Sequence, residues 1–383
     1  MNPLLNNLPI GLQTFSEIRK NDCLYMDKTE YIYRLASTTA KYYFLSRPRR
    51  FGKSLLVSTL EHYFLGHKEL FKGLAMEQLE QDWFEYPVFH IDFNNTDFTE
   101  AGKLEEVIER YVTSWENIYG KFPYSDLIGS RFAYVLEQAH KQTGRGAVVL
   151  IDGAYKPILD VLHTDTKIRK GGQEERLEKH HRSFLNSFYS VFKGADAHLY
   201  FVFLTDVGNI LPSTPFSGFN NAFDLSRYYA CDSLCGITQK ELLTVFADPI
   251  RQLSEAMGWT EEETLKVLNE QYGGYHFSDE MTEIFNPFSL MHCFKYKQIA
   301  DYWSKSNASS DPIRLLNHFS GQLKKTIGQY YFPEEFSGDV EEPLSMIYQS
   351  GYLTIKGYDQ EMNSYLLDFP NKEVERIFRD GND

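Results

Sequence analysis

The chain has 383 residues, 42% of them apolar and 24% charged, an ordinary globular balance in a length that suits two or three domains. A formal net charge of −14 argues against a passive nucleic-acid coat, which needs a basic face. No apolar run approaches the roughly 20 residues that span a bilayer. The N-terminus lacks the basic start and long apolar stretch of a secretory signal, so a soluble, cytoplasmic chain is expected. Cys23, Cys231, Cys235 and Cys293 are too few and scattered for a disulfide framework and read as buried free thiols.

The first predicted element is a helix over 29–35, followed by a short aromatic strand, Lys-Tyr-Tyr-Phe-Leu at 41–45. A polar loop at 46–52 leads into 53–65, whose Leu55, Leu56, Leu60, Phe64 and Leu65 recur at helical spacing. A second buried strand is Val-Phe-His-Ile-Asp-Phe at 88–93. Helices are predicted over 102–118 and 124–142. Gly-Ala-Val-Val-Leu-Ile at 146–151 is the clearest strand, a β-branched run typical of a central parallel position, and it stops at Asp152. A charged loop over 167–175, a helix near 174–193 and a strand at 199–204 complete an alternation of strand and helix. That alternation predicts an α/β fold, a parallel sheet with helices on both faces. Beyond about 237 helices dominate, at 238–256 and 261–271. A hairpin built from 352–355 and 365–367 precedes a last helix, which gives a mainly helical, winged-helix-like C-terminal region. The expected domains are therefore 1–236 and 237–383.

The loop between the first strand and its helix reads Arg-Pro-Arg-Arg-Phe-Gly-Lys-Ser at 47–54. It matches the phosphate-loop pattern Gly-x-x-x-x-Gly-Lys-[Ser/Thr] except for Arg47 in place of the first glycine. Strand, loop and helix stand in the required order. Gly52 would let the backbone approach phosphates, and the start of the next helix offers free N–H groups and a positive dipole end. Lys53 would reach the β- and γ-phosphates of ATP, and the Ser54 hydroxyl would ligate Mg2+. Backbone groups over Arg49, Arg50, Phe51 and Leu55 complete the candidate nucleotide-binding set. For the Arg49 and Arg50 side chains three readings stay open: phosphate, another subunit or solvent. Asp152, closing the third strand, is the candidate second magnesium residue.

These residues resemble the AAA-ATPase-like proteins of bacteria, which are often fused to a C-terminal PD-(D/E)XK-type nuclease domain. The resemblance runs through Leu-Pro-Ile-Gly at 8–11, Asp-Lys-Thr-Glu-Tyr at 27–31 and Phe-Leu-Ser-Arg-Pro-Arg-Arg-Phe-Gly-Lys-Ser-Leu at 44–55. It continues through Phe-Ser-Gly-Phe-Asn-Asn at 216–221, Tyr-Gly-Gly-Tyr-His-Phe at 272–277, Asn-Pro-Phe-Ser at 286–289 and Phe-Pro-Asn-Lys-Glu-Val at 369–374. It implies an additional-strand P-loop core, with Lys53 and Ser54 as phosphate and magnesium contacts and Asp152 as the Walker B acid. Thr205 falls at a sensor position, and the segment 27–29 would lie near the nucleotide.

The departures bear on hydrolysis. Where the family reads Ile-Asp-Glu-Tyr-Asp-Lys-Pro, this chain reads Ile-Asp-Gly-Ala-Tyr-Lys-Pro at 151–157. Gly153 therefore stands where the family has the carboxylate that polarises the attacking water, help worth about 10²–10⁴ in rate. The family's Leu-Thr-Gly-Val-Ser-Lys is Leu-Thr-Asp-Val-Gly-Asn at 204–209, which brings in Asp206 and drops the lysine. ATP binding with impaired hydrolysis is expected, unless Asp92 or Asp206 substitutes for the missing acid. The alternative is a pseudo-ATPase interaction module that acts on a protein or nucleic acid without nucleotide. A DNA or protein partner would engage the C-terminal region, and the oligomeric state is open. No Asp…Glu-x-Lys nuclease constellation follows 371, so a chain ending at Asp383 is expected to carry no nuclease of its own. His180 and His181 read as part of a solvated helix face, and the glutamates at 261–263 as a helix N-terminus. The aromatic turn 272–277 suits either base stacking or core packing.

Overall fold

The computed structural model describes residues 7–162, 164–170, 172–207, 222–303, 330–333 and 347–380. Two compact units emerge: Met1–Tyr31, Ser46–Thr59 and Leu225–Asp383 form one, and Ile32–Leu45 with Leu60–Asp224 the other. The sequence boundary at 236/237 falls inside the first.

The second unit is organised by a five-stranded sheet in the order β2-β3-β6-β1-β7. Its strands are β1 (Tyr42–Ser46), β2 (Val88–Asp92), β3 (Ala147–Asp152), β6 (Leu199–Asp206) and the two-residue β7 (Phe223–Asp224). The pairs β2–β3, β3–β6 and β1–β7 run parallel. Every residue of β3 is buried, as its unbroken apolar run requires. In sequence between the strands lie α3 (Lys53–Phe64), whose start belongs to the first unit, α5 (Lys103–Tyr119), α6 (Ile128–Thr143) and α8 (Leu177–Tyr189); α2 (Thr29–Ala36), α4 (Ala75–Leu79), α7 (Lys156–Leu159) and α9 (Val191–Gly194) are shorter, and α1 (Phe15–Lys20) belongs to the first unit. Phe89 on β2 meets Trp115 of α5 edge-on, and Phe132 of α6 stacks between Trp115 and Phe188 of α8 at ring separations of 5.3 and 5.2 Å. Beside this core, Arg131 bridges Glu116 and Glu109.

Three expectations for this unit are corrected. The stretch 167–175 is a hairpin, β4 (Lys167–Lys170) against β5 (Gln173–Arg176). The next helix starts only at Leu177 and breaks after Tyr189. His180 and His181 are buried, at 8% and 0% exposure. His180 Nε2 meets Glu105 Oε1 at 2.5 Å and His181 Nδ1 meets the Pro157 carbonyl at 2.8 Å, so a partner distant in sequence satisfies one nitrogen of each buried ring.

In the first unit, β8 (Ile237–Thr238) pairs with β9 (Ile284–Phe285). Around them lie α10 (Gln239–Val245), α11 (Ala247–Met257), α12 (Glu261–Tyr272) and α13 (Pro287–Tyr296). Leu242, Phe246, Leu253, Leu268, Leu290 and Phe294 share their core. The expected helix 238–256 is two helices, because Pro249 has no N–H for the carbonyl of Val245 and its ring crowds that position. Thr238 with Glu241 and Thr260 with Glu263 form capping boxes, and the glutamates at 261–263 occupy the first turn as expected. The unit closes with a three-stranded antiparallel sheet ordered β10-β12-β11 (Tyr330–Pro333, Ser364–Asp368, Thr354–Asp359) and α14 (Lys372–Asp380). Among the described residues no helix is long and apolar enough to cross a membrane.

Candidate nucleotide site

The loop leaving β1 turns twice through left-handed backbone, at Arg50 (φ +67°) and Gly52 (φ +93°). Nothing would meet a Cβ at position 52 within 4 Å, so the glycine serves the backbone angle rather than packing. Lys53 opens α3, and its Nζ curls back to donate to the carbonyls of Arg47 (2.8 Å) and Pro48 (2.9 Å). Ser54 and Leu55 follow in the first helical turn, half-buried.

Arg47, at the place of the missing glycine, is 1% exposed. Its guanidinium donates to the carbonyls of Ser46, Ser226 and Cys231 at 2.8–2.9 Å and lies 4.1 Å from the Phe277 ring centroid. Burial lowers its pKa and raises that of nearby Asp232. The side chain thus ties the start of the loop to the 226–231 segment. Arg50 is exposed and sits 5.0 Å from the Phe288 ring centroid.

The back of the loop rests on the family motifs of the C-terminal half. Phe51 is buried edge-on against Tyr275 (4.8 Å) and Phe277 (5.7 Å), and its carbonyl accepts the Gly236 N–H. The aromatic turn 272–277 is therefore core packing: Tyr275 is 1% and Phe277 6% exposed. Gly274 (φ +76°) is required there, since a Cβ would lie 2.0 Å from the Pro370 carbonyl oxygen. Trp303 donates its indole N–H to the Arg49 carbonyl at 3.3 Å, and its backbone N–H, with that of Tyr302, goes to the buried carboxylate of Glu373. Burial pushes the Glu373 carboxyl up to about 7.

In the other unit, register sets Asp92, Asp152 and Thr205 side by side at the C-terminal edge of the sheet. Asp152 is 4% exposed. Thr205 is fully buried and donates its hydroxyl hydrogen to the Leu45 carbonyl (2.8 Å). Gly153 has φ +73°, and a Cβ there would lie 2.8 Å from Asn94 Oδ1. Neither acid considered as a substitute is idle. Asp92 accepts from Asn94 and Asn95. Asp206, 2% exposed, accepts the backbone N–H groups of Tyr155 and Val207, each at 2.5 Å. Residues 208–221, which include the Gly-Asn pair and the Phe-Ser-Gly-Phe-Asn-Asn motif, lie outside the described residues. In the 27–29 segment, Asp27 Oδ1 accepts the Thr29 backbone N–H and hydroxyl, while Lys28 pairs with Glu241 at 2.5 Å.

Sequence reasoning missed Arg47 as a buried tie, and it missed Trp303. Glu373 and Tyr275 stood inside quoted motifs, which was the available signal.

A parallel sheet in which β6 lies between the strand that feeds a Gly-Lys-Ser loop and the strand that ends in Asp152 defines an additional-strand P-loop fold. The chain belongs to the AAA-ATPase-like family, whose description, "Predicted AAA-ATPase", matches residues 9–213. It is 33% identical over 378 residues to an uncharacterized protein from the vnfD 5' region of Azotobacter chroococcum mcd 1, across 96% of this chain and 68% of that protein. Among solved structures, the Orc1 protein of Aeropyrum pernix in complex with DNA aligns over 93% of both chains at 10% identity and a TM-score of 0.31, a likeness too slight to carry any argument.

Proposed function

We propose that this chain is an ATP-binding member of its family with slow hydrolysis. Backbone N–H groups from Arg49 to Leu55 and the Lys53 ammonium would receive the phosphates, and Ser54 with Asp152 would hold Mg2+. The ion would screen the phosphate charge. The observation that carries this reading is the loop itself: left-handed turns at Arg50 and Gly52, with Lys53 held by the loop carbonyls. That geometry suits an anion-binding concavity of backbone N–H groups.

Slow turnover is supported by the bare backbone at Gly153 and by the engagement of Asp92 and Asp206 with neighbouring N–H groups. Thr205 would offer the γ-phosphate only its lone pairs. In the same proposal, residues 1–236 handle nucleotide, residues 237–383 engage a protein or DNA partner, and the chain works in the cytoplasm. Calorimetric titration with Mg–ATP followed by phosphate-release measurement on the same sample tests it. Micromolar binding with little phosphate release is expected. No binding would leave the nucleotide-free interaction module as the better account.

A further inference from the structure

We infer that Trp303 and Glu373 are positioning residues that orient one peptide of the phosphate loop toward the nucleotide, an inference that rests on the loop being an ATP site. Glu373 lies in the first turn of α14 and is 1% exposed. Its Oε1 accepts two consecutive backbone N–H groups, of Tyr302 at 2.6 Å and Trp303 at 2.8 Å. The start of α14 is itself fixed, because Asn371 Oδ1 accepts the Val374 N–H and its Nδ2 donates to the Gly273 carbonyl. Trp303 is also 1% exposed, its ring edge-on to Tyr352 at 5.0 Å, and its indole N–H reaches the Arg49 carbonyl.

The consequence follows from peptide planarity. The 49–50 bond is trans, so its C=O and N–H point in opposite directions. Once the Arg49 carbonyl is turned toward Trp303, the Arg50 N–H must point away from Trp303. Arg50 is the loop's left-handed non-glycine residue, the conformation in which successive N–H groups converge on an anion. Among the described residues the indole is the group that donates to the Arg49 carbonyl, and its loss removes that preference for this orientation of the peptide over its flipped alternative. The buried carboxylate acts one step further back, by fixing the backbone that carries the indole.

The test is calorimetric titration of the full chain with Mg–ATP and, in parallel, with magnesium tripolyphosphate. The proteins compared are wild type, Trp303→Phe, Glu373→Gln and Glu373→Leu, with a thermal melt of each. Trp303→Phe keeps the ring and loses only the donor. It should weaken both ligands by the same factor, about three- to tenfold, as expected for one hydrogen bond, with a melting temperature near that of wild type. Glu373→Gln keeps an acceptor oxygen and should bind as wild type, whereas Glu373→Leu should weaken both ligands as Trp303→Phe does. Wild-type affinity in Trp303→Phe overturns the inference while leaving the ATP site intact. Wild-type affinity in Glu373→Leu removes Glu373 from the argument. A wild-type chain that binds neither ligand overturns the ATP reading, and this inference with it.

Discussion

The carboxylate of Asp206 accepts the backbone N–H of Tyr155 at 2.5 Å. The bond links the two stretches where this chain departs from its family, the turn after β3 and the end of β6. The same turn is sealed from other sides: Gly153 and Ala154 donate to the Thr205 carbonyl, and the Tyr189 hydroxyl donates to the Ala154 carbonyl. The family's acid-bearing turn has become a packed structural corner here, with Asp206 as its anchor.

The first prediction follows from that anchor. Asp206→Ala leaves two backbone donors without a charged acceptor, at a site 2% exposed, which should cost about 2 to 3 kcal/mol. Chemical denaturation should show a midpoint lowered accordingly. An unchanged midpoint would mean that the Asp206 bonds are incidental.

Restoring the missing acid requires more than one substitution. Gly153→Glu places a side chain at φ +73° with its Cβ 2.8 Å from Asn94 Oδ1, a left-handed backbone cost of about 1 to 2 kcal/mol in addition to the clash. The single variant should lose stability and hydrolyse ATP little faster. Gly153→Glu with Asn94→Ala removes the clash and should raise phosphate release at least about tenfold, a fraction of the range open to general-base help. Equal turnover in the single and double variants would contradict the steric argument.

Arg47→Gly restores the first glycine of the general phosphate-loop pattern and should nevertheless harm the protein. Three carbonyls lose a buried charged donor, and the Phe277 ring loses its cation. A loss of at least about 3 kcal/mol is expected, measured as a fall in denaturation midpoint. A stable variant with tighter ATP binding would show that Arg47 is a substitution the loop merely tolerates.

The Glu373 carboxyl gives a pH signature. Its value in the folded chain, about 7, lies above the ordinary 4.5, because burial disfavours the charge. The folded state therefore holds this proton more tightly. The associated stability is fully present below pH 4.5 and is lost as pH rises through about 7, on the order of 3 kcal/mol in all. Glu373→Gln should flatten the fall in denaturation midpoint between pH 5 and 8. An unaltered slope would assign it to other groups.

Much of the sheet was legible because its strands are apolar runs: the 146–151 segment reads as buried whatever surrounds it. The hairpin of β4 and β5 was not, because Lys-Ile-Arg-Lys and Gln-Glu-Glu-Arg carry no apolar face and match loop composition as well as strand. His180 looked solvated because its helix is charged, and its partner Glu105 lies 75 residues away. At the candidate site, Gly52, Lys53, Ser54 and Asp152 were readable from type and spacing. The role of Arg47 was hidden, since its partners are backbone carbonyls, which every sequence supplies. Trp303 acts on a carbonyl too and left no mark for the same reason.

The most direct measurement is the melting temperature of wild type and of Lys53→Ala, with and without Mg–ATP at about a hundred times the dissociation constant. A ligand bound only by the folded chain adds about 2.7 kcal/mol at that excess. Wild type should melt a few degrees higher with Mg–ATP, and Lys53→Ala at the same temperature with or without it. A wild-type melt unmoved by Mg–ATP, or a shift of equal size in Lys53→Ala, would contradict the account.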